Sequence, residues 1–176
     1  SDLILIAVTV IAVAIGGWYA YGEFVVKPKE EKAAEALYKV QDFFAKDSSN
    51  IVINGDNATG VKGALYVIKT YSGTKSANLA HYYAGICYLK KGDFKNAEKQ
   101  LRDFDGKGTM VANVAKGALG DALMEQGKTD DAIKTYLDAA SDPDNDLVTP
   151  LYLERAGMAY EMSNKTEDAK KIYRRI

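Results

Sequence analysis

The chain has 176 residues, of which 47% are hydrophobic, and its formal net charge at pH 7 is -1. This length and composition suit one globular domain and exclude an intrinsically disordered chain. Because 23 basic residues balance 24 acidic ones without a long run of one sign, the basic surface of a nucleic-acid-binding protein is missing. One cysteine, Cys87, and one histidine, His81, are too few for a disulfide framework or a zinc site of such ligands.

An uncharged apolar segment occupies residues 3–22. At about 1.5 Å of rise per residue, a helix of this length crosses the roughly 30 Å hydrocarbon core of a membrane. Aromatic rings favour the lipid headgroups, and four of them cluster at the C-terminal end of the segment: Trp18, Tyr19, Tyr21 and Phe24. Residues 1–26 are therefore predicted to form a transmembrane anchor.

A cleaved signal peptide is the alternative interpretation of this segment. The apolar region of a signal peptide is usually shorter, and a cut after Ala20 would place the bulky Trp18 where a small residue is needed. A retained anchor is favoured for these reasons. Ala12, Gly16 and Ala20 recur at every fourth position, and such a stripe predicts a packing face for a second membrane helix, although Gly and Ala are common in membrane spans generally.

Residues 27–77 are predicted to form a helical spacer or a degenerate first repeat. After Pro28, apolar residues recur at helical spacing among charged ones, which predicts an amphipathic helix. These apolar residues are Ala34, Leu37, Tyr38, Phe43 and Phe44. Residues 48–60 are rich in turn-forming residues and are predicted to be a loop, followed by a second helix over 61–73.

Three copies of one pattern follow, predicted over residues 78–112, 113–149 and 150–176. The phrase "YYAGICYLKKGDFKNAEKQL" at 82–101 is matched by "GALGDALMEQGKTDDAIKTY" at 117–136 and by a third copy. Each copy predicts two helices joined by a turn, with a glycine in the first helix and an alanine in the second. The repeat-defining residues are Gly85, Ala97, Gly120, Ala132, Gly157 and Ala169.

The glycines of these copies lie in the middle of predicted helices. Glycine there costs about 1 kcal/mol relative to alanine, so another interaction must compensate. Close approach of the second helix does so, since the small alanines permit the contact. A larger residue follows each alanine four positions later: Leu101, Tyr136 and Tyr173.

This pattern resembles the tetratricopeptide repeat, whose period is about 34 residues. The chain departs from the family where a large aromatic residue usually precedes the glycine by four positions, because His81, Lys116 and Leu153 stand there. A proline near the repeat end is convincing only at Pro143. The resemblance implies an all-α fold, in which a single transmembrane helix precedes an α-solenoid of tetratricopeptide-type helix hairpins.

The resemblance also implies a concave groove lined by the first helix of each pair. The groove would be apolar at one end and acidic at the other, and would suit an apolar peptide or a partner helix. In the alternative interpretation, the spacer helices fold back and cover Leu79, Tyr82 and Ile86 as ordinary core. The implied groove residues are Leu79, Tyr82, Ile86, Leu89, Val114, Gly117, Asp121, Met124, Leu151, Glu154, Met158 and Glu161.

The whole layout is similar to the YfgM-like proteins of the inner membrane of Gram-negative bacteria, in their Bacteroidota versions. This resemblance implies a repeat domain in the periplasm, association with the Sec translocon and with a membrane-anchored, PpiD-like periplasmic chaperone, and contact with export clients. Taken alone, Lys27, Lys29 and Lys32 favour the opposite orientation, with the repeats in the cytoplasm.

Catalytic and metal-binding motifs are missing from the sequence. It contains no P-loop, no G-x-S-x-G and no H-E-x-x-H, and "NGDNATG" at 54–60 lacks the alternate acids and closing Glu of a calcium loop. The chain is therefore predicted to be no enzyme and to need no cofactor, metal or small-molecule substrate. Two functions stay open: a scaffold that assists protein export, and a structural accessory subunit of another envelope membrane complex.

Overall fold

The computed structural model of the protein describes residues 2–142 and 145–176. Regular structure in this described part is helical and includes no strand, which confirms the predicted all-α fold. The α-helices are α1 (Asp2–Tyr21), α2 (Lys27–Ala45), α3 (Ser49–Asn54), α4 (Ala64–Thr70), α5 (Lys75–Lys90), α6 (Phe94–Asp103), α7 (Ala112–Glu125), α8 (Thr129–Ala139), α9 (Val148–Met162) and α10 (Thr166–Tyr173).

The helices α1 and α2 form one uninterrupted rod, joined by a π turn at Gly22–Val26. In this turn the Lys27 amide donates to the Gly22 carbonyl, five residues back. Pro28 follows directly, and because a proline ring crowds the carbonyl four residues before it, the wider turn relieves the crowding while the helix continues. The predicted boundary between anchor and spacer at residue 26 thus falls inside a continuous helix.

Helices α2, α3 and α4 pack against one face of α5. Leu37 of α2, Ile53 of α3 and Val67 of α4 are buried in one cluster. They meet the small residues Ala80 and Ala84 of α5, which let the surrounding helices approach closely. Branched side chains against an alanine face therefore fix the N-terminal helices to the first repeat hairpin.

Two sequence predictions for this region are wrong in detail. The predicted loop over 48–60 contains α3, because Val52 and Ile53 gain more from burial than the surrounding turn-forming residues gain from a loop. Tyr38, predicted on the buried face of α2, is 72% exposed, and Ala34 is exposed as well. The buried face follows Ala33, Leu37 and Val40 instead.

Three helix hairpins follow, formed by α5 with α6, α7 with α8 and α9 with α10. Helix α5 begins three residues earlier than predicted because the Thr74 side chain accepts a hydrogen bond from the Ala77 amide at 3.0 Å. Helix α9 begins at Val148, so Pro150 lies in its first turn, where proline is tolerated. Pro143, predicted near the end of the second repeat, lies outside the described residues.

Each repeat glycine faces a large side chain of the second helix. A Cβ atom at Gly85 would lie 2.6 Å from Leu101 Cγ, and one at Gly120 would lie 2.5 Å from Tyr136 Cε1. At Gly157 the corresponding distance to Tyr173 Cε1 is 2.3 Å. The large residues thus occupy the space above the glycines, and this packing offsets the helical cost of glycine. Ala97, Ala132 and Ala169 are buried nearby.

Polar contacts join each hairpin to the next. Lys128, at the start of α8, donates to Glu98 Oε2 of α6 at 2.6 Å, and Gln126 donates to the same oxygen at 2.9 Å. One repeat later, Lys165 donates to Asp130 Oδ1 at 2.7 Å. The Glu98 side chain is only 15% exposed whereas that of Asp130 is 73% exposed, so the first joint is the better shielded one.

Candidate partner-binding surface

The implied groove residues of α5 are half-buried. Leu79, Tyr82, Ile86 and Leu89 pack against a cluster of buried residues from α6, α7 and the segment between them. The Tyr82 ring lies 5.8 Å from the Phe104 ring, measured between centroids. The spacer helices, in contrast, cover mainly the opposite side of α5 around Ala80, Ala84 and Cys87. The residues of α5 therefore serve in part as packing between the first two hairpins.

The middle of the implied groove is filled by Tyr152 of α9. A Cβ atom at Gly117 would lie 1.8 Å from Tyr152 Cζ, so the ring occupies the place that a side chain at Gly117 would take. Tyr152 is buried and stacks on Tyr136, with the ring centroids 6.3 Å apart. Gly117 is consequently a packing position and offers no surface, while Val114 and Met124 on the same helix are half-buried.

A polar cluster surrounds Asp121 on α7. Arg155 of α9 forms an ion pair with Asp121, and the Tyr136 hydroxyl donates to Asp121 Oδ1 at 2.7 Å. Burial and then the Asp121 carboxylate raise the pKa of Tyr136, so the phenol stays protonated and remains a donor. The Arg155 guanidinium also lies over the Tyr152 ring, 5.8 Å from its centroid.

The ion pair changes the predicted charge of the groove. Asp121 is one of the implied groove positions, and Arg155 compensates its charge. Sequence reasoning missed Arg155 because this residue follows the groove position Glu154 in the sequence and is not itself a groove position. A signal was present, since Asp121 and Arg155 are 34 residues apart, about one repeat, and neighbouring first helices lie side by side.

Helix α9 carries the most accessible part of the groove. Leu151 is 41% exposed and Met158 is 52% exposed. Sequence reasoning missed Leu147 and Met162, which are also exposed and continue the row at spacings of four, seven and four residues along one helical face. We call these four residues, Leu147, Leu151, Met158 and Met162, the α9 stripe.

Acidic side chains border the α9 stripe. Glu154 and Glu161 are exposed on α9, and Glu161 Oε2 accepts a hydrogen bond from the Tyr173 hydroxyl at 3.1 Å. Methionine side chains are flexible and adapt to apolar partners of different shape. The stripe and its border thus match a partner segment that combines apolar and basic residues.

The N-terminal helix is long and apolar enough to cross a membrane, and none of the apolar window is buried inside the protein. Ala12 and Gly16 lie exposed on α1, Ala20 is half-exposed, and nothing lies within 4 Å of a Cβ atom placed at Gly16. Length and composition indicate a single membrane span, and a signal sequence satisfies the same criteria.

The single cysteine of the chain is a free thiol, and the His, Cys, Asp and Glu side chains of the described residues are the candidates for holding a metal ion. No cluster of three His, Cys, Asp or Glu side chains there has the geometry to hold a metal ion. Cys87 is buried, and burial raises the pKa of its thiol. Within the same residues, every buried side-chain nitrogen or oxygen atom has a hydrogen-bond partner.

Comparison with known proteins agrees with the helix hairpins. The family model described as "Tetratricopeptide repeat-like domain" matches residues 1–175. The chain belongs to this family. Tetratricopeptide-like domains are protein-interaction modules, so the fold indicates a scaffold that binds other proteins. No curated protein and no solved structure matches the chain.

Proposed function

We propose that the chain is a membrane-anchored scaffold whose repeats face the periplasm and assist protein export or folding beside the Sec translocon. The α9 stripe is the observation that carries the binding role. It is an exposed apolar row with an acidic border, and it includes the implied groove positions Leu151 and Met158 of the third hairpin. Its partner is a protein segment with apolar residues and lysine or arginine between them.

The proposed location in the envelope and the proposed partners are inferred from the layout of the chain, and not from the α9 stripe. The layout of one apolar helix followed by tetratricopeptide-like hairpins resembles the YfgM-like proteins of the bacterial inner membrane. By that resemblance, the partners are translocon subunits and a membrane-anchored periplasmic chaperone, with export clients as transient ligands. Leu151 and Met158 are the primary contact positions in this proposal. The half-buried positions, which contribute the sides of the groove, are Leu79, Tyr82, Ile86, Leu89, Val114 and Met124.

Site-specific photo-crosslinking in native membranes tests the proposal. A photoreactive residue at Met158 is expected to crosslink to translocon subunits or to the periplasmic chaperone. The matched control is Lys134, an exposed residue of α8 that belongs to no groove position, where these products should be at least tenfold weaker. Recovery of cytoplasmic proteins alone from Met158 would overturn the proposal.

The same experiment separates the scaffold from a structural subunit. A scaffold for export gives several products at Met158, and their amounts change when export is blocked. One product at a fixed ratio, retained through purification in detergent, would instead indicate an accessory subunit of another envelope complex.

A further inference from the structure

Helix α2 holds the start of α5 through two side chains next to the apolar segment. Lys29 Nζ donates to the Ser72 carbonyl at 2.7 Å, and the Glu30 carboxylate accepts from the Lys75 and Ser76 amides at 2.7 and 2.9 Å. Burial opposes ionisation of Glu30, but the hydrogen bonds from Ser76 and Lys75 outweigh it and hold the pKa below the ordinary 4.5. The turn between α4 and α5 is thereby fixed to the rod.

The direction of α5 relative to the rod follows from contacts at the other end. Lys90, the last residue of α5, forms an ion pair with Asp47, which follows α2, at 2.6 Å. Helices α2 and α5 therefore run parallel, and the first residues of α5 lie at the end of α2 that continues into α1. Since α5 has 16 residues, its two ends are about 24 Å apart along the helix.

A second segment lies at the same end as the start of α5. Asn78 Nδ2 donates to the Asp105 carbonyl at 2.8 Å, and the Asp105 amide donates back to Asn78 Oδ1 at 2.8 Å. These bonds hold residues 105–111, which we call the α6–α7 loop, beside the turn that Glu30 fixes. A cavity of about 650 Å³ separates the loop from the turn and is lined by residues of both.

The distance from this end of the protein to the apolar segment is short. Exposed apolar residues continue along the rod to Val26, and Glu30 lies four residues further, about 6 Å along the axis. The headgroup layer on each side of a hydrocarbon core is about 5–8 Å thick. Counted from Val26, the turn fixed by Glu30 lies within the headgroup layer. Counted from Gly22, where the uncharged segment ends, it lies about 12 Å out, a few ångströms beyond that layer, so the loop reaches the headgroups only through a side chain that extends toward the bilayer.

The α6–α7 loop carries side chains suited to that depth. Met110 is 102% exposed, so its apolar side chain has no protein contact that would bury it. Lys107 in the loop and Lys75 beside it are exposed and border the same cavity. Asp105, the acid of this loop, accepts the Lys107 amide at 3.0 Å and keeps its negative charge, which the two lysines outnumber. An apolar tip with lysines around it matches the boundary between acyl chains and anionic headgroups.

We propose that the α6–α7 loop is a second membrane contact, with Met110 entering the headgroup layer of the bilayer that α1 spans and Lys107 and Lys75 near lipid phosphates. This inference rests on the proposed membrane anchor. Two points of contact, the span and the loop, fix the tilt of the rod. The hairpins then stand on the membrane with α5 pointing away from it, and the α9 stripe is held at a set height.

Lipid quenching of a fluorophore on the full chain tests the inference. The chain is reconstituted in vesicles of phosphatidylethanolamine and phosphatidylglycerol, with a label on Met110→Cys, on Lys95→Cys or on Val13→Cys. Lys95 is the matched control, because it is exposed at the start of α6, near the end of α5 that points away from α1. Cys87 is buried and stays unlabelled, and the parent chain measures the background.

Nitroxides on the lipid headgroups are expected to quench the Met110 label at least threefold more than the Lys95 label. Nitroxides on the acyl chains report whether Val13 is in the bilayer. If Val13 is quenched while Met110 and Lys95 are quenched equally, the loop contact is wrong and the anchor stands. If Val13 is not quenched, the anchor fails, and the loop contact fails with it.

Discussion

Helices α5 and α9 occupy equivalent places in their hairpins, yet their groove residues differ in accessibility. Tyr82 and Ile86 of α5 are half-buried against α6 and α7, whereas Leu151 and Met158 of α9 are exposed. On α7, between them, the ring of Tyr152 covers Gly117. Equal register in a repeat therefore does not give equal exposure among the described residues, because large side chains of neighbouring helices, such as Tyr152 over Gly117, decide which positions are covered.

Truncating a side chain on the buried face of α9 should cost far more stability than truncating one on its exposed face. This difference in the free energy of unfolding is the largest effect that we expect. Tyr152→Ala removes a buried ring that packs on Gly117 and Tyr136, and should lower the free energy of unfolding by about 3–5 kcal/mol. Met158→Ala, on the exposed face, should change it by less than about 0.5 kcal/mol. Urea unfolding of the full chain in detergent, followed by circular dichroism, measures both. Similar losses for the two variants would show that α9 has no free face.

A double-mutant cycle tests whether Tyr152 is what closes the groove at α7. Gly117→Ala places a methyl group inside the Tyr152 ring, and overpacking of this kind should cost about 1–3 kcal/mol. In the Tyr152→Ala background the space is empty, and the same substitution should be neutral or should stabilise by up to about 1 kcal/mol, since alanine favours the helix. Equal effects in both backgrounds would mean that another contact constrains Gly117.

The polar contacts that join successive hairpins should contribute stability that depends on pH. Hydrogen bonds from Lys128, and also from Arg102 and Gln126, lower the pKa of Glu98 from 4.5 to about 2 in spite of partial burial. A lowered pKa means that the folded state favours the carboxylate. The resulting stability is complete above pH 4.5 and is lost as the pH falls toward 2.

Glu98→Gln should therefore destabilise the chain at neutral pH by about 1 kcal/mol, a value kept small because the partners Lys128 and Arg102 are exposed to solvent although the carboxylate is shielded. The loss relative to the parent chain should shrink between pH 4.5 and 2. Asp130→Asn is the matched control at the next joint, where the carboxylate is exposed, and its effect at neutral pH should be smaller. Unfolding curves at several pH values decide the matter, and equal effects for the two variants would contradict the difference between the joints.

The sequence predicted the helix hairpins because their signals are local. Glycine, alanine and a large residue recur at fixed spacing, and each trio forms a contact within one hairpin, such as Gly85 with Leu101. The predictions that were wrong depend on contacts between distant segments. Whether Ile53 lies in a loop or in the core depends on α2 and α5, and whether Tyr38 faces the core depends on where those helices pack.

The substitution that should change stability least lies in α1, and it should affect only the binding of a membrane partner. Gly16 lies between Ala12 and Ala20 on one helical face, and nothing in the chain lies within 4 Å of its Cβ position. Gly16→Leu should therefore leave the unfolding of the hairpins unchanged. It should weaken recovery of a membrane partner, because in lipid close packing drives helix association. Val13→Leu, on another face, is the control. If Gly16→Leu leaves recovery unchanged while Met158→Glu abolishes it, α1 is an anchor only, and the accessible face of α9 accounts for binding.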